Sequence, residues 1–336
     1  MAKTTSVIGI GNAIVDVISQ TDDRFLDHMG IHKGIMQLIE RERAQTLYAA
    51  MSARAETPGG SVANTIAGLG RMGLAAGFIG RVADDALGRF YAESFEGQGT
   101  RFLNPPVPDG ELPTSRSMIF VTQDGERSMN TYLGISSEVS AADVPVAAVK
   151  STEILFLEGY LFDKDKGKTA FREAAEACHA GGGRAGITLS DPFCVDRHRA
   201  DFRRLVQGPM DFVIGNEAEW TSLYEANDLE TALARAAEEC RLVVCTRSGD
   251  PVVLIEDGHR VEVPVNPVTP VDATGAGDQF AAGMLFGLAT GRSLEVMGRM
   301  GCIAAAEVIG HIGPRPEADI HALFVGEGLV EGKIHG

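Results

Sequence analysis

The most constraining feature of this chain is a repeated alternation of short, β-rich apolar runs with amphipathic stretches of helical period. Strand-like runs are read at Ser6–Gly11, Ala75–Arg81, Ile154–Glu158, Ala185–Leu189, Asp211–Ile214, Leu242–Thr246 and Val252–Ile255. Between or after them fall helical patterns at Ser61–Met72, Asp84–Phe95, Lys166–His179, Asp196–Val206, Leu229–Cys240, Asp278–Thr290 and Ser293–Ile309. Several of the strand-like runs are apolar throughout, as expected when both faces of a sheet are covered. Such alternation predicts an α/β fold, a doubly wound sandwich with a mostly parallel central sheet.

Two regions break the rhythm. Val15–Ile39 and Thr114–Leu133 hold strand-like pieces with turn signals, and Gln123-Asp124-Gly125 between Ser117–Thr122 and Arg127–Tyr132 reads as a β-hairpin. These pieces predict a small β-sheet lid, formed by about 13–39 and 114–133, beside the main sheet. The 336 residues are material for about two domains. No Pro/Gly/Ser-rich linker separates the pieces, so residues 1–336 are read as one fold carrying a lid.

Charge narrows the partners. The formal net charge is −16, which opposes condensation on nucleic acid or an anionic membrane surface. An anionic ligand must therefore be attracted locally, by backbone N–H groups or a metal. The five cysteines include no C-x-x-C pair, which fits neither a zinc ribbon nor a disulfide framework and points to a reducing, cytoplasmic setting. The apolar stretch Val7–Ile18 is broken by Gly9, Gly11, Asn12 and Asp16, so it reads as neither a signal-peptide core nor a membrane span.

Asp272-Ala273-Thr274-Gly275-Ala276-Gly277-Asp278 leads straight into a helix. Glycines at a helix start leave backbone N–H groups unobstructed, and with the helix dipole they form an anion hole. A carboxylate at Asp278, beside such a hole, suits a group that accepts a proton from an attacking hydroxyl. Pro58-Gly59-Gly60-Ser61-Val62-Ala63-Asn64 opens a second helix, where glycines permit close backbone approach and Asn64 offers both donor and acceptor to a sugar diol. Gly11-Asn12-Ala13-Ile14-Val15-Asp16 and Gly80 through Gly88 follow strands, and Asn216-Glu217-Ala218-Glu219 also has the form of a capping box. Gly9-Ile10-Gly11 begins like a dinucleotide fingerprint but has Ile14 at the third glycine position.

Together these segments resemble the ribokinase-like (PfkB) carbohydrate kinases over essentially the whole chain. The resemblance implies an ATP-dependent kinase in which Asp278 is the general base and the amides of Gly275, Ala276 and Gly277 form the anion hole. It places Asn12, Asp16, Gly59, Gly60 and Asn64 on the substrate. It gives Asn216, Glu219, Thr246 and Gly249 to ATP and Mg²⁺, and a K⁺ ion to Asp272 and the Thr274 carbonyl. The family's nucleotide strand usually ends T-x-G-x-x-G, whereas here it reads Thr246-Arg247-Ser248-Gly249-Asp250-Pro251 with the glycines displaced. Gly11-Asn12 with Asp16, Leu189-Ser190-Asp191-Pro192-Phe193 and Phe212 through Glu217 are most similar to the branch that phosphorylates the 5′-hydroxyl of adenosine, giving AMP and ADP. A free-sugar kinase of ribokinase or fructokinase type is the alternative. Leu38, Phe120, Leu133, Tyr160 and Phe162 are the candidate purine slot. Partners are then ATP and a small-molecule substrate, with no nucleic acid and no membrane, and the chain is expected as a monomer or homodimer.

Overall fold

Alternation along the central strands sorts apolar side chains onto two opposite faces, and each face gathers its own layer of helices. In the computed structural model, residues 3–96, 99–110 and 112–331 are described. The chain begins with β1 (Thr5–Ile10), β2 (Ile14–Gln20), α1 (Asp23–Met29), β3 (Met36–Leu38), α2 (Arg41–Ala50), β4 (Ala55–Gly59), α3 (Ser61–Arg71), β5 (Ala76–Ile79), α4 (Ala86–Glu96) and β6 (Thr100–Phe102). It continues through β7 (Ser115–Val121), β8 (Arg127–Tyr132), α5 (Val146–Lys150), β9 (Thr152–Glu158), α6 (Asp165–Ala180), β10 (Arg184–Thr188), α7 (Pro192–Val206), β11 (Phe212–Asn216) and α8 (Glu217–Tyr224). The last third holds α9 (Leu229–Glu239), β12 (Leu242–Arg247), β13 (Asp250–Glu256), β14 (His259–Val263), α10 (Ala276–Ala289), α11 (Leu294–Val308) and α12 (Ile320–Gly326).

Among the described residues the large sheet has nine strands in the order β14-β13-β12-β11-β10-β9-β1-β5-β6. Pairing is parallel from β6 to β12, and the β12–β13 and β13–β14 pairings at one edge are antiparallel. Val7, Phe156, Ile214 and Val244 join one core with α3, α10 and α11, whereas Ile8, Leu157, Val213 and Val243 join the other with α6, α7 and α9. This is the α/β architecture that the alternation predicts, and the apolar runs are its doubly covered strands. Among the described residues no helix is long and apolar enough to cross a membrane.

The second sheet has the order β3-β8-β7-β2-β4. β7 and β8 form the antiparallel hairpin read from Gln123-Asp124-Gly125. Two details depart from the reading. Residues 15–39 are not all strand: Asp22 caps α1 through the Phe25 N–H, and Gly30 ends it at φ 61. The edge strand β4 draws in residues 55–59, which alternate too little to be seen as a strand.

Register decides what the two faces of this sheet carry. Cross-strand partners place Asp16, Ser117, Thr131 and Leu38 in one row, with Ile18, Ile119, Met129 and Met36 in the next. The opposite face, with Val15, Val17, Met118 and Phe120, packs on Leu26, Ala44 and Leu47 of α1 and α2. Asp16 thus shares its face with an apolar row, and the outer members of the two rows, Leu38 and Met36, are 52% and 45% exposed.

Helices α10 and α11 approach each other through glycine. A Cβ on Gly283 would lie 2.3 Å from the Met300 carbonyl oxygen, and one on Gly301 would lie 2.6 Å from the Phe280 ring. A backbone oxygen cannot yield as a side-chain end can. Gly283→Ala is therefore expected to destabilise the fold by about 1–3 kcal/mol through overpacking, despite alanine's better helix propensity. Urea unfolding should show a lower midpoint at unchanged slope.

Candidate active site

The start of α10 is shaped by two glycines with different duties. Gly275, its N-cap, has φ 81, and a Cβ there would lie 2.6 Å from Pro314 Cα. Gly277 faces open space, where a Cβ would meet nothing within 4 Å. The Ala276 N–H donates to the Ala273 carbonyl at 3.2 Å, so it is engaged within the turn.

Asp278, in the first turn of α10, is held from α3. Ser61 Oγ donates to its Oδ1 at 2.7 Å and Asn64 Nδ2 to its Oδ2 at 3.0 Å, while Thr65 Oγ1 donates to its backbone carbonyl at 3.0 Å. Burial pushes its pKa up to about 6, against the hydrogen bonds from Ser61 and Asn64 and the charge of Arg315, which favour the carboxylate. A carboxyl group with such a value exchanges protons near neutral pH.

The β4–α3 turn fits against β1 and β2 only because it is made of glycine. A Cβ on Gly60, whose φ is 100, would lie 2.1 Å from the Asn12 carbonyl oxygen. One on Gly59 would lie 2.3 Å from Asp16 Oδ2. Asp16 is buried, and desolvation raises its pKa to about 7 against the charges of Arg315 and Arg127. Asn12, Asp16, Gly59, Gly60 and Asn64, far apart in the chain, therefore converge beside Asp278.

Glu158, at the end of β9, was not singled out in the sequence. Its Oε1 accepts from Asn12 Nδ2 at 2.7 Å and from the Asn12 N–H at 3.2 Å, and its Oε2 accepts from the Val62 N–H at 3.0 Å. Ser136 Oγ donates to Asn12 Oδ1 at 3.0 Å, so both ends of that side-chain amide are fixed. Burial raises the Glu158 pKa to about 7. An isolated glutamate closing an apolar strand carries no motif. Only the meeting of β1, β9 and α3 shows what it holds.

A cavity of about 180 Å³ adjoins Asp278, and Ser61, Thr188, Asn216, Glu219, Thr246 and Gly277 are among the residues that line it. Asn216 and Glu219 form the capping box of α8: Asn216 Oδ1 accepts from the Glu219 N–H at 2.9 Å, and Glu219 Oε2 from the Asn216 N–H at 2.8 Å. The cap and the cavity wall are the same residues. Burial raises the Glu219 pKa to about 7. Among the described residues no group of three or more His, Cys, Asp and Glu is placed to hold a metal ion.

Three expectations need correction. Gly249 does not line the cavity; it is exposed in the tight turn between the paired residues Arg247 and Asp250 of β12 and β13. The displaced glycine thus builds a hairpin. In the purine slot, Phe162 stacks on Phe202 at 4.3 Å within the α6–α7 core, and Phe120 packs on Phe25 at 5.3 Å behind the small sheet. Asp272 accepts from the Thr274 N–H at 3.0 Å and the Gly313 N–H at 2.9 Å, and pairs with Arg127 at 2.5 Å. With that carboxylate matched by an internal guanidinium, the donor set at Asp272 and Thr274 does not fit a K⁺ ion.

A nine-stranded α/β layer and a second sheet meeting over a glycine-rich helix start and a buried carboxylate define a phosphotransferase class. The chain belongs to the pfkB family of carbohydrate kinases, whose family model matches residues 31–320. It is a kinase that transfers phosphoryl to an alcohol group, within an ATP-using family. The crystal structure of adenosine kinase from Sinorhizobium meliloti matches with 45% identity and a TM-score of 0.89, covering 96% of this chain and 99% of that one. That of a probable sugar kinase protein from Rhizobium etli CFN 42 matches with 42% identity and a TM-score of 0.90, covering 98% and 100%. A fructokinase from Escherichia coli is 26% identical over 85% of each chain.

Two outcomes follow from this geometry. Because Arg127 already neutralises Asp272, initial rates should be equal in Na⁺ and K⁺ at matched ionic strength; several-fold activation by K⁺ would show that the pair yields to the ion. Glu158→Leu leaves three buried N–H donors without their acceptor and should lower stability by about 3 kcal/mol, measured by urea unfolding.

Proposed function

We propose that this chain phosphorylates the 5′-hydroxyl of adenosine with ATP, giving AMP and ADP. The observation that carries the reading is the placement of Asp278, a buried carboxylate titrating near pH 6 at a helix start, beside the convergent groups of β1, β2 and α3. Asp278 takes the hydroxyl proton as the oxygen attacks, and Ser61 and Asn64 hold both of its oxygens in place. The N–H groups of Gly275 and Gly277 face the charge that develops on the transferred group, with the α10 dipole behind them. The Ala276 amide, tied to Ala273, contributes here only if the turn opens.

Asp16, Asn12 and Asn64 hold the ribose hydroxyls, with Gly59 and Gly60 giving the ring room to approach. Thr246 lines the nucleotide side of the cavity. Asn216 and Glu219 suit a hydrated Mg²⁺, because their oxygens already serve the cap and an ion carrying its own water needs few direct ligands. When bound, that ion neutralises phosphate charge. The small sheet acts as the lid, brought to the anion-hole loop by Arg127. Five unpaired, buried cysteines support a reducing, cytoplasmic setting.

Adenosine is favoured over a free sugar by the inner face of the small sheet. Beside Asp16 lie Ile18, Met36, Leu38 and Met129, apolar and partly exposed, a surface suited to a flat purine. The 45% identity to an adenosine kinase supports the same reading. The similarity to a probable sugar kinase and a fructokinase keeps a sugar hydroxyl as the second reading.

The test is ATP-dependent phosphorylation of adenosine, inosine, ribose and fructose by the purified protein. Adenosine should be preferred over ribose by about two orders of magnitude, since the purine contributes binding that ribose lacks. Ser in place of both Met36 and Leu38 should erode that preference without changing the rate on ribose. A higher specificity constant for fructose or ribose would replace the substrate and leave the chemistry in place. Asp278→Asn should lower kcat by about 10³-fold or more while adenosine still binds; retained turnover excludes Asp278 as the base.

A further inference from the structure

One buried cation near the site belongs to no motif. Arg315 lies in the segment after α11, between Pro314 and Pro316. That segment is pinned on both sides. Gln279 Nε2 donates to the Pro314 carbonyl at 3.0 Å, and Glu307 Oε1 accepts from the Glu317 N–H at 2.9 Å and the Ala318 N–H at 2.7 Å. So fixed, the backbone delivers the Arg315 side chain inward. Its Nε–H donates to Asn64 Oδ1 at 3.2 Å, and its guanidinium carbon lies 5.8 Å from the centre of the Phe95 ring.

Both terminal nitrogens of Arg315 are buried without a hydrogen-bond partner, a state no other described arginine shares. Burying a guanidinium in this way opposes folding, and an apolar side chain would serve packing better. Packing alone therefore does not account for an arginine here. What it faces does. Asn64 turns its Oδ1 to Arg315 and its Nδ2 to Asp278, so one amide links the guanidinium to the carboxylate. Asp16, on β2, feels the same charge.

We propose that Arg315 is a positioning residue for phosphoryl transfer: it orients Asn64 toward Asp278 and supplies the buried positive charge shared by Asp16 and Asp278. The amide flip of Asn64 is decided by this contact, because a reversed amide would aim N–H at the guanidinium and oxygen at the carboxylate. Without the cation, two carboxylates would face each other in a desolvated site, and their mutual repulsion would favour protonation of one of them. The inference rests on the reading of Asp278 as the base.

Ser61 and Asn64 donate to Asp278 from α3, and the charged or titratable groups around it are Asp16 from β2, Glu158 at the end of β9, Tyr160 just after it, and Arg315 itself. Asp16 is further opposed by Arg127 from β8. Activity requires the Asp278 carboxylate, so it falls as pH drops through that group's pKa. Positive charge from Arg315 lowers that pKa, and removing the charge moves the acid limb to higher pH.

The experiment compares wild type, Arg315→Met and Arg315→Lys with adenosine and ATP, across pH 5 to 9, together with thermal unfolding and calorimetric binding of adenosine. Arg315→Met should move the acid limb of kcat up by about one pH unit and raise the KM for adenosine at least about tenfold, with the KM for ATP unchanged. Arg315→Lys should return the limb to its wild-type place, since it restores charge, but leave the adenosine KM raised, since ammonium lacks the planar fork that holds Asn64. A wild-type acid limb and adenosine KM in Arg315→Met would overturn the proposal. If Arg315→Met does not fold, Arg315→Lys with both quantities unchanged overturns the orienting role, and Arg315→Gln with an unmoved limb overturns the charge role. Adenosine binding to Asp278→Asn, alone and combined with Arg315→Met, separates the two readings. Turnover by Asp278→Asn removes the base, whereas equal adenosine affinity of the two proteins removes the role of Arg315 on Asn64.

Discussion

The site depends on one junction, the packing of the α10 start against the α3 start. Two helix N-termini, each with a positive end, meet over a single carboxylate. Their dipoles and the donors Ser61 and Asn64 make it bearable for Asp278 to lie buried in a chain that is already strongly acidic. Gln279, the next residue, repeats the bond at backbone level, donating to the carbonyls of Asn64 and Pro314. Gly68 makes room for it, since a Cβ there would meet Gln279 Oε1 at 2.3 Å. The close approach of the two helices leaves the Gln279 amide as the nearest neighbour of any side chain at 68.

From this junction the other parts take their places by charge. Asp16, Glu158, Glu219 and Asp278 are all buried and all pushed toward neutral pKa values by desolvation. They differ in what answers them. Glu158 and Glu219 are answered by backbone and amide N–H groups, which suits carboxylates with structural work. Asp16 is answered by the charges of Arg315 and Arg127, and Asp278 by the charge of Arg315 together with Ser61 and Asn64. The division follows from donor type rather than from distance alone.

Much of this was legible in the residue string. The alternation of apolar runs announced a doubly covered parallel sheet, because such strands have no polar face to show. The glycines at 59, 60, 275 and 277 announced close approach at two helix starts, and Asp278 stood out as a carboxylate where an anion should bind. The hairpin around Gly125 was written in its turn residues. Less legible were the edge strand at 55–59 and the helix at 23–29, each too short for its period to be counted. Aromatic residues misled in the other direction. Phe120 and Phe162 carry no mark that says whether an apolar ring meets a ligand or another ring.

Sequence alone determined the layer architecture, the two glycine-rich turns and the place of a carboxylate at the α10 start, because each rests on local periodicity or on a contiguous run of residues. Tertiary structure alone decided which distant groups answer which charge. Glu158 lies 146 residues from the amide it grips, Arg315 lies 251 from Asn64, and Arg127 reaches Asp272 from another sheet. The physical reason is that electrostatic pairing in a desolvated site acts through space. It leaves no period in the chain, and a lone Glu or Arg between apolar neighbours reads as nothing until the strands and helices have brought its partner to it.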